Sequence, residues 1–135
     1  MRLHGCFRSS AAYRVRVALA LKGVAYDGAF HSLRRGEQHS PAYVAINPQG
    51  LVPALEVEGA VLTQSLAICE YLDETLEGPA LLPEDPLMRA RVRAAAQVIA
   101  CDVHPLQNLR VLGWLRALGQ DPVSYTHLRA HETSA

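Results

Sequence analysis

The chain has 135 residues, 50% of them hydrophobic and 19% charged, and its thirteen basic and thirteen acidic residues give a formal net charge of zero. That length holds one compact domain, or a small domain and part of another, with the composition of an ordinary globular protein. With no net charge and no basic stripe interleaved with aromatics, nucleic acid and anionic membrane are poor partners, and a small, near-neutral ligand is the better expectation.

Residues 2–7 read as a short strand. A helix follows over 10–22, with Ala12, Val15, Ala18 and Leu19 at helical spacing, Ser9 or Ser10 as its N-cap and Gly23 as its stop. A second strand is predicted over 26–29, then a polar loop over 31–38 and a weak helical turn over 40–45. Asn47-Pro48-Gln49-Gly50 is a turn signal. A strand over 51–57 carries Pro53, and Glu58-Gly59 closes a hairpin onto a strand over 60–63. Gln64-Ser65 opens a helix whose apolar stripe is Leu66, Cys69, Leu72 and Leu76, with Glu70, Asp73, Glu74 and Glu77 toward water. Residues 78–86 contain three prolines and read as a linker, ending in Asp85-Pro86, a cap followed by proline at the first helical position. A long Ala-rich helix is expected from 87 to about 103, kinked at Pro105, and a second stretch from 106 to 118 ends near Gly119.

The hydroxyl pair Ser9-Ser10 stands where a strand hands over to a helix. A helix start offers unpaired N–H groups and the positive end of the macrodipole, so a sulfur or carboxylate docked there is held as an anion. Ionising a thiol of ordinary pKa at neutral pH means lowering it by roughly two units, about 2.7 kcal/mol, which a dipole and one charge-assisted hydrogen bond together can supply. Simple helix capping is the alternative for the same two residues. Pro53, inside an otherwise central-looking strand, implies an edge, a bulge or a cis bond. A cis Val52–Pro53 bond would free the backbone of Val52 to meet a ligand in strand-like fashion. Gln64-Ser65 at a helix start suits a ligand carboxylate or is a second ordinary cap. Arg14 can neutralise a ligand carboxylate or pair at the surface. His104-Pro105-Leu106-Gln107-Asn108 either faces a substrate or satisfies a helix kink.

Cys6, Cys69 and Cys101 are odd in number, far apart and without a CxxC pair, so they are expected to be core thiols in a reducing cytosol. His127 and His131 beside Glu132 do not form HExxH and lack a third ligand, so no metal is expected. Residues 2–7 are too short and mixed for a signal-peptide core, and no apolar run approaches a membrane span; the expected localisation is cytoplasmic.

Four motifs in order carry a family resemblance: Ser9-Ser10 with the run from Tyr13 to Gly23; Asn47-Pro48-Gln49-Gly50-Leu51-Val52-Pro53-Ala54-Leu55; Thr63-Gln64-Ser65-Leu66-Ala67-Ile68; and His104-Pro105-Leu106-Gln107-Asn108. Together they resemble the zeta-class glutathione transferases, over residues 1 to about 120. The resemblance implies an α/β thioredoxin-like N-terminal domain, ordered βαβαββα, over 1–80. A linker over 81–86 and an incomplete all-α C-terminal domain over 87–121 follow. Glutathione is the implied cofactor and a homodimer the implied assembly of the full-length parent.

By position, Ser9 and Ser10 resemble the family's thiolate-stabilising serines, and Arg14 is placed with them as catalytic. Ala11, Gln38, Val52, Pro53, Gln64 and Ser65 fall at glutathione contacts, and His104 and Asn108 where the substrate is lined. Ala11 departs from the cysteine many members carry there, leaving the two serines and the helix dipole to activate the sulfur. The implied reaction is cis-trans isomerisation of maleylacetoacetate to fumarylacetoacetate in tyrosine and phenylalanine breakdown. Maleylpyruvate isomerisation, general glutathione transfer and non-catalytic glutathione binding are the alternatives. Residues 122–133 back-translate as read-through of a sequencing adapter, so 122–135 are expected to be an artefactual tail, standing where the family's helical domain would continue.

Overall fold

The computed structural model describes residues 1–121. The expected tail and the histidine pair at 127 and 131 lie outside the described residues. The chain divides into two compact units, Met1–Arg89 and a second beginning at Ala90.

In the first unit the order is β1 (Arg2–Gly5), α1 (Ser10–Leu21), β2 (Asp27–Phe30), two 3-10 turns (Leu33–Arg35 and Glu37–His39), α2 (Pro41–Ile46), β3 (Ala54–Val57), β4 (Ala60–Thr63) and α3 (Ser65–Thr75). The four strands form one mixed sheet ordered β2-β1-β3-β4. β1 and β2 run parallel, as a strand–helix–strand crossover requires, and β3 is antiparallel to both β1 and β4. The βαβαββα order expected from the sequence is therefore the observed one.

Strand alternation decides which residues the sheet gives to each face. Leu3 and Leu55, paired in register, join Val15, Ala18 and Leu19 of α1 and Ile68 and Leu72 of α3 in the core. The opposite face of the sheet carries polar groups beside the buried Ala54: His4 is buried and Glu56 half-buried.

Several expectations need correction. β3 begins at Ala54, so Leu51, Val52 and Pro53 precede the strand; a proline has no N–H to give the ladder, and pairing starts just beyond it. β1 ends at Gly5, and β2 is shifted by one residue to Asp27–Phe30. In α3 the buried face is Ser65, Ile68 and Leu72, with Leu66 and Cys69 only half-buried. Leu72 belongs to both stripes, and Cys69 and Leu76 pack against the core, so the expected stripe is offset toward one edge of the buried face.

Asp73 does not face open water. It pairs with the buried Lys22 (Nζ–Oδ1 2.7 Å) and accepts the backbone N–H groups of Leu81 (2.8 Å) and Leu82 (3.2 Å). The stretch read as linker is thus tied back to α3.

α4 (Pro86–Gln97) starts as expected, with Asp85 Oδ2 accepting the N–H of Met88 at 2.8 Å. Regular winding ends six residues earlier than predicted. A π-helical turn, Val98–Val103, and a 3-10 turn, His104–Gln107, lead into α5 (Leu109–Ala117). Pro105 cannot donate to the turn before it, and the wider winding upstream accommodates the missing bond. Cys101 is exposed and so is not a core thiol.

Candidate functional site

Ser9, rather than Ser10, caps α1. Its Oγ accepts the N–H of Ala12 at 3.2 Å, and its backbone is extended. An oxygen that accepts from the helix still has its own proton to donate outward. The β1–α1 connection is fixed from two sides: Ser9 N–H donates to the Cys6 carbonyl (3.1 Å), and Arg16 donates to the carbonyls of Cys6 (3.3 Å) and Phe7 (3.0 Å). Ser10 and Ala11 occupy the first turn, Ser10 exposed and Ala11 half-buried.

Arg14 is not a surface partner. Its guanidinium donates to Ser65 Oγ at 2.5 Å, tying the second turn of α1 to the first residue of α3. Ser65 is buried. Gln64 stands at the N-cap position of α3 but makes no side-chain cap; its φ of 67° is in the left-handed region. That conformation costs a non-glycine residue on the order of 1 kcal/mol or more and gathers at functional sites. The reading of Gln64-Ser65 as an ordinary cap therefore fails.

The Val52–Pro53 bond is cis. The segment before it is pinned by two donors to one oxygen: Tyr43 Oη at 2.6 Å and Asn47 Nδ2 at 2.7 Å both donate to the Leu51 carbonyl. Gln38 lies in the second 3-10 turn, and its Oε1 is buried with no hydrogen-bond partner among the described residues. This turn abuts the Asn47–Gly50 corner, where a Cβ on Gly50 would come within 2.7 Å of His39 Nδ1. Gly50 also has φ 62°, so that corner needs glycine on both counts.

Ser9, Ser10, Ala11, Arg14, Gln38, Val52, Pro53, Gln64 and Ser65 all belong to the first unit, and the Arg14–Ser65 bond joins its two helix starts. His104 and Asn108 belong to the second. There Asn108 N-caps α5, its Oδ1 accepting from Arg110 N–H at 3.0 Å, and His104 opens the 3-10 turn. No group of metal-ligating side chains occurs among the described residues.

Cys69 is not a thiolate: burial, opposed by Arg14 and aided by Glu70, pushes it up to about 11. Missed entirely was a polar chain beneath α2. Glu56 Oε1 meets His4 Nε2 at 2.5 Å, and His4 Nδ1 meets His31 Nε2 at 3.0 Å. The signal was a histidine inside a strand, next to a core leucine and so on the opposite face.

Residues 8–75 match the family "Glutathione S-transferase, N-terminal domain". The chain is 54% identical over 124 residues to the maleylacetoacetate isomerase of Pseudomonas aeruginosa, covering 90% of this chain and 58% of that protein. It is similar to the crystal structure of maleylacetoacetate isomerase from Methylobacterium extorquens AM1 with bound malonate and GSH. There the TM-score is 0.87 and the identity 53%, over 90% of this chain and 58% of the other. It is also similar to a maleylpyruvate isomerase described as a bacterial zeta-class glutathione S-transferase, with TM-score 0.86 and identity 47%, over 90% and 57% of the two chains. The chain thus spans little more than half the length of these relatives. With half of its residues matching that domain and these relatives 47–54% identical, the chain belongs to the glutathione S-transferase family, in its zeta class.

Proposed function

We propose that the first unit binds glutathione and that the whole protein uses it to isomerise maleylacetoacetate to fumarylacetoacetate. The observation that carries this reading is the pair of helix starts, Ser9 capping α1 and Ser65 opening α3, braced by Arg14. Their donors suit a tripeptide with an ionisable thiol and carboxylates, and the buried Gln38 Oε1 is an acceptor whose hydrogen-bonding capacity is unmet.

Glutathione, when bound, supplies a thiol whose sulfur adds reversibly to a cis alkene. Ser9 donates its hydroxyl proton toward that sulfur, and the α1 dipole favours the anion. Ser10 adds a second hydroxyl, and Ala11, in place of the family's cysteine, adds no further polar group to the first turn. Arg14 holds Ser65 Oγ as an acceptor, which leaves the Ser65 O–H and N–H for a carboxylate. Val52 presents its backbone beside Pro53, and the exposed Gln64 its side chain. In the second unit, His104 and Asn108 contact the substrate.

A cytoplasmic homodimer acting in tyrosine and phenylalanine breakdown completes the proposal. Maleylpyruvate is the second candidate substrate, favoured by a structural likeness almost as high as that to the maleylacetoacetate enzyme. Replacing Ser9 and Ser10 together by Ala in the full-length protein is expected to lower maleylacetoacetate turnover roughly a hundredfold, the scale of losing one directed donor to a developing anion. Turnover equal to the parent's would remove the serines from the mechanism.

A further inference from the structure

On the sheet face turned away from α1, one connected set of polar groups runs from β3 to the segment before Val52. Glu56 and His4 meet at 2.5 Å, and His4 and His31 at 3.0 Å with their rings stacked 5.3 Å apart. The His31 ring lies 4.5 Å from that of Tyr43, and the Tyr43 hydroxyl donates to the Leu51 carbonyl at 2.6 Å. His4 and Tyr43 are buried, so this chain has few waters to replace a lost partner.

We propose that Glu56, His4, His31 and Tyr43 are positioning residues for the Val52–Pro53 edge, and that a second proton on the His4–His31 pair loosens this edge and weakens glutathione binding. The inference rests on the reading of Val52 as a glutathione contact.

The reason is a proton count. His4 Nε2–H donates to the Glu56 carboxylate, and a 3.0 Å contact between two ring nitrogens holds one proton, whichever imidazole carries it. When both rings are cationic, two N–H groups point at each other and the contact cannot persist. The groups facing His31 are His4 and Arg2 from β1, Glu37 from the second 3-10 turn and Tyr43 from α2; Glu56 of β3 acts through His4. Burial, then the charge on His4, lowers the His31 pKa; Glu37 opposes this and Arg2 adds to it. Burial raises the Tyr43 phenol, opposed by Asn47, so its hydroxyl stays protonated and remains a donor. A ring whose proton affinity is depressed in the intact network resists protonation only while the network holds. Acidification below about pH 6.5 therefore favours the loosened state.

S-Methylglutathione separates this effect from thiol ionisation, because it has no thiol to titrate. Calorimetric titration of the chain with this ligand is expected to show affinity about tenfold weaker at roughly pH 5.5 than at pH 7.5, one pKa unit of coupling. His31→Gln, which cannot take the second proton, is expected to flatten that profile. Tyr43→Phe keeps the ring against His31 but cuts the link to Leu51, and is expected to flatten it too. It decides the matter if His31→Gln fails to fold. Binding whose pH profile survives both substitutions overturns the inference alone. No binding by the unsubstituted chain at either pH overturns the glutathione reading and the inference with it.

Discussion

Ser9 has two duties that mutation can separate. As the N-cap it satisfies Ala12 N–H, so Ser9→Ala is expected to cost about 1 kcal/mol of stability and Ser9→Gly only a few tenths, measured as shifts in urea midpoint. As a donor to sulfur it is replaced by neither residue, so the two variants should lose catalysis alike while differing in stability. The sequence narrowed the cap to two adjacent serines because both precede the same apolar stripe; only the extended backbone of Ser9 distinguishes them. Pro53 was legible as an anomaly, with cis as one of three readings. Arg14 was read as a ligand partner or a surface ion, because no pattern in the sequence says that residue 14 meets residue 65. The His4–His31 pair was illegible for the same reason: its two residues are 27 apart and meet only when β2 pairs with β1.

Among the elements, α1 and α3 are joined at both ends: by Arg14 and Ser65 near their starts, and by Lys22 and Asp73 near their ends. The second bond is unequal. Asp73 retains two backbone donors if Lys22 is removed, whereas Lys22 without Asp73 keeps only a 3.4 Å bond to the Leu76 carbonyl. Asp73→Leu is therefore expected to cost about 3–5 kcal/mol, and Lys22→Met clearly less, by denaturant unfolding. Equal costs would place the main penalty elsewhere. Burial raises the Asp73 pKa, but Lys22 and the Leu81 and Leu82 amides outweigh it and leave the carboxyl below its ordinary value. A depressed carboxyl stabilises the fold above its unfolded pKa and ceases to do so as pH falls through the folded one. The parent should thus lose stability below about pH 4, and Asp73→Leu should show less of that acid dependence in the same unfolding measurement. Periodicity placed α3 within a residue and put Leu72, Cys69 and Leu76 in or against the core, but passed over Ile68 and Ser65, the latter a polar residue whose partner Arg14 lies 51 positions away.

For the molecule as a whole, element order was readable because turn chemistry punctuates it: Asn47 to Gly50, Glu58-Gly59 and Asp85-Pro86 each fall at a junction. The mixed sheet follows from that order, a crossover through α1 giving the parallel pair and tight turns giving the antiparallel ones. The stretch from 98 to 107 was not readable, because Ala-rich sequence favours a continuous helix and Pro105 alone does not say where the winding widens. At this scale the proposed activity depends on one physical property, the capacity of the Ser9 start of α1 to hold a sulfur as an anion. Ultraviolet difference titration of glutathione bound to the chain, against the chain alone, measures it directly. The bound thiol is predicted to ionise near pH 6.5, about two units below a free thiol, and Ser9→Ala to move it back toward the free value. A bound thiol that ionises at the free value in the unsubstituted chain would contradict the account.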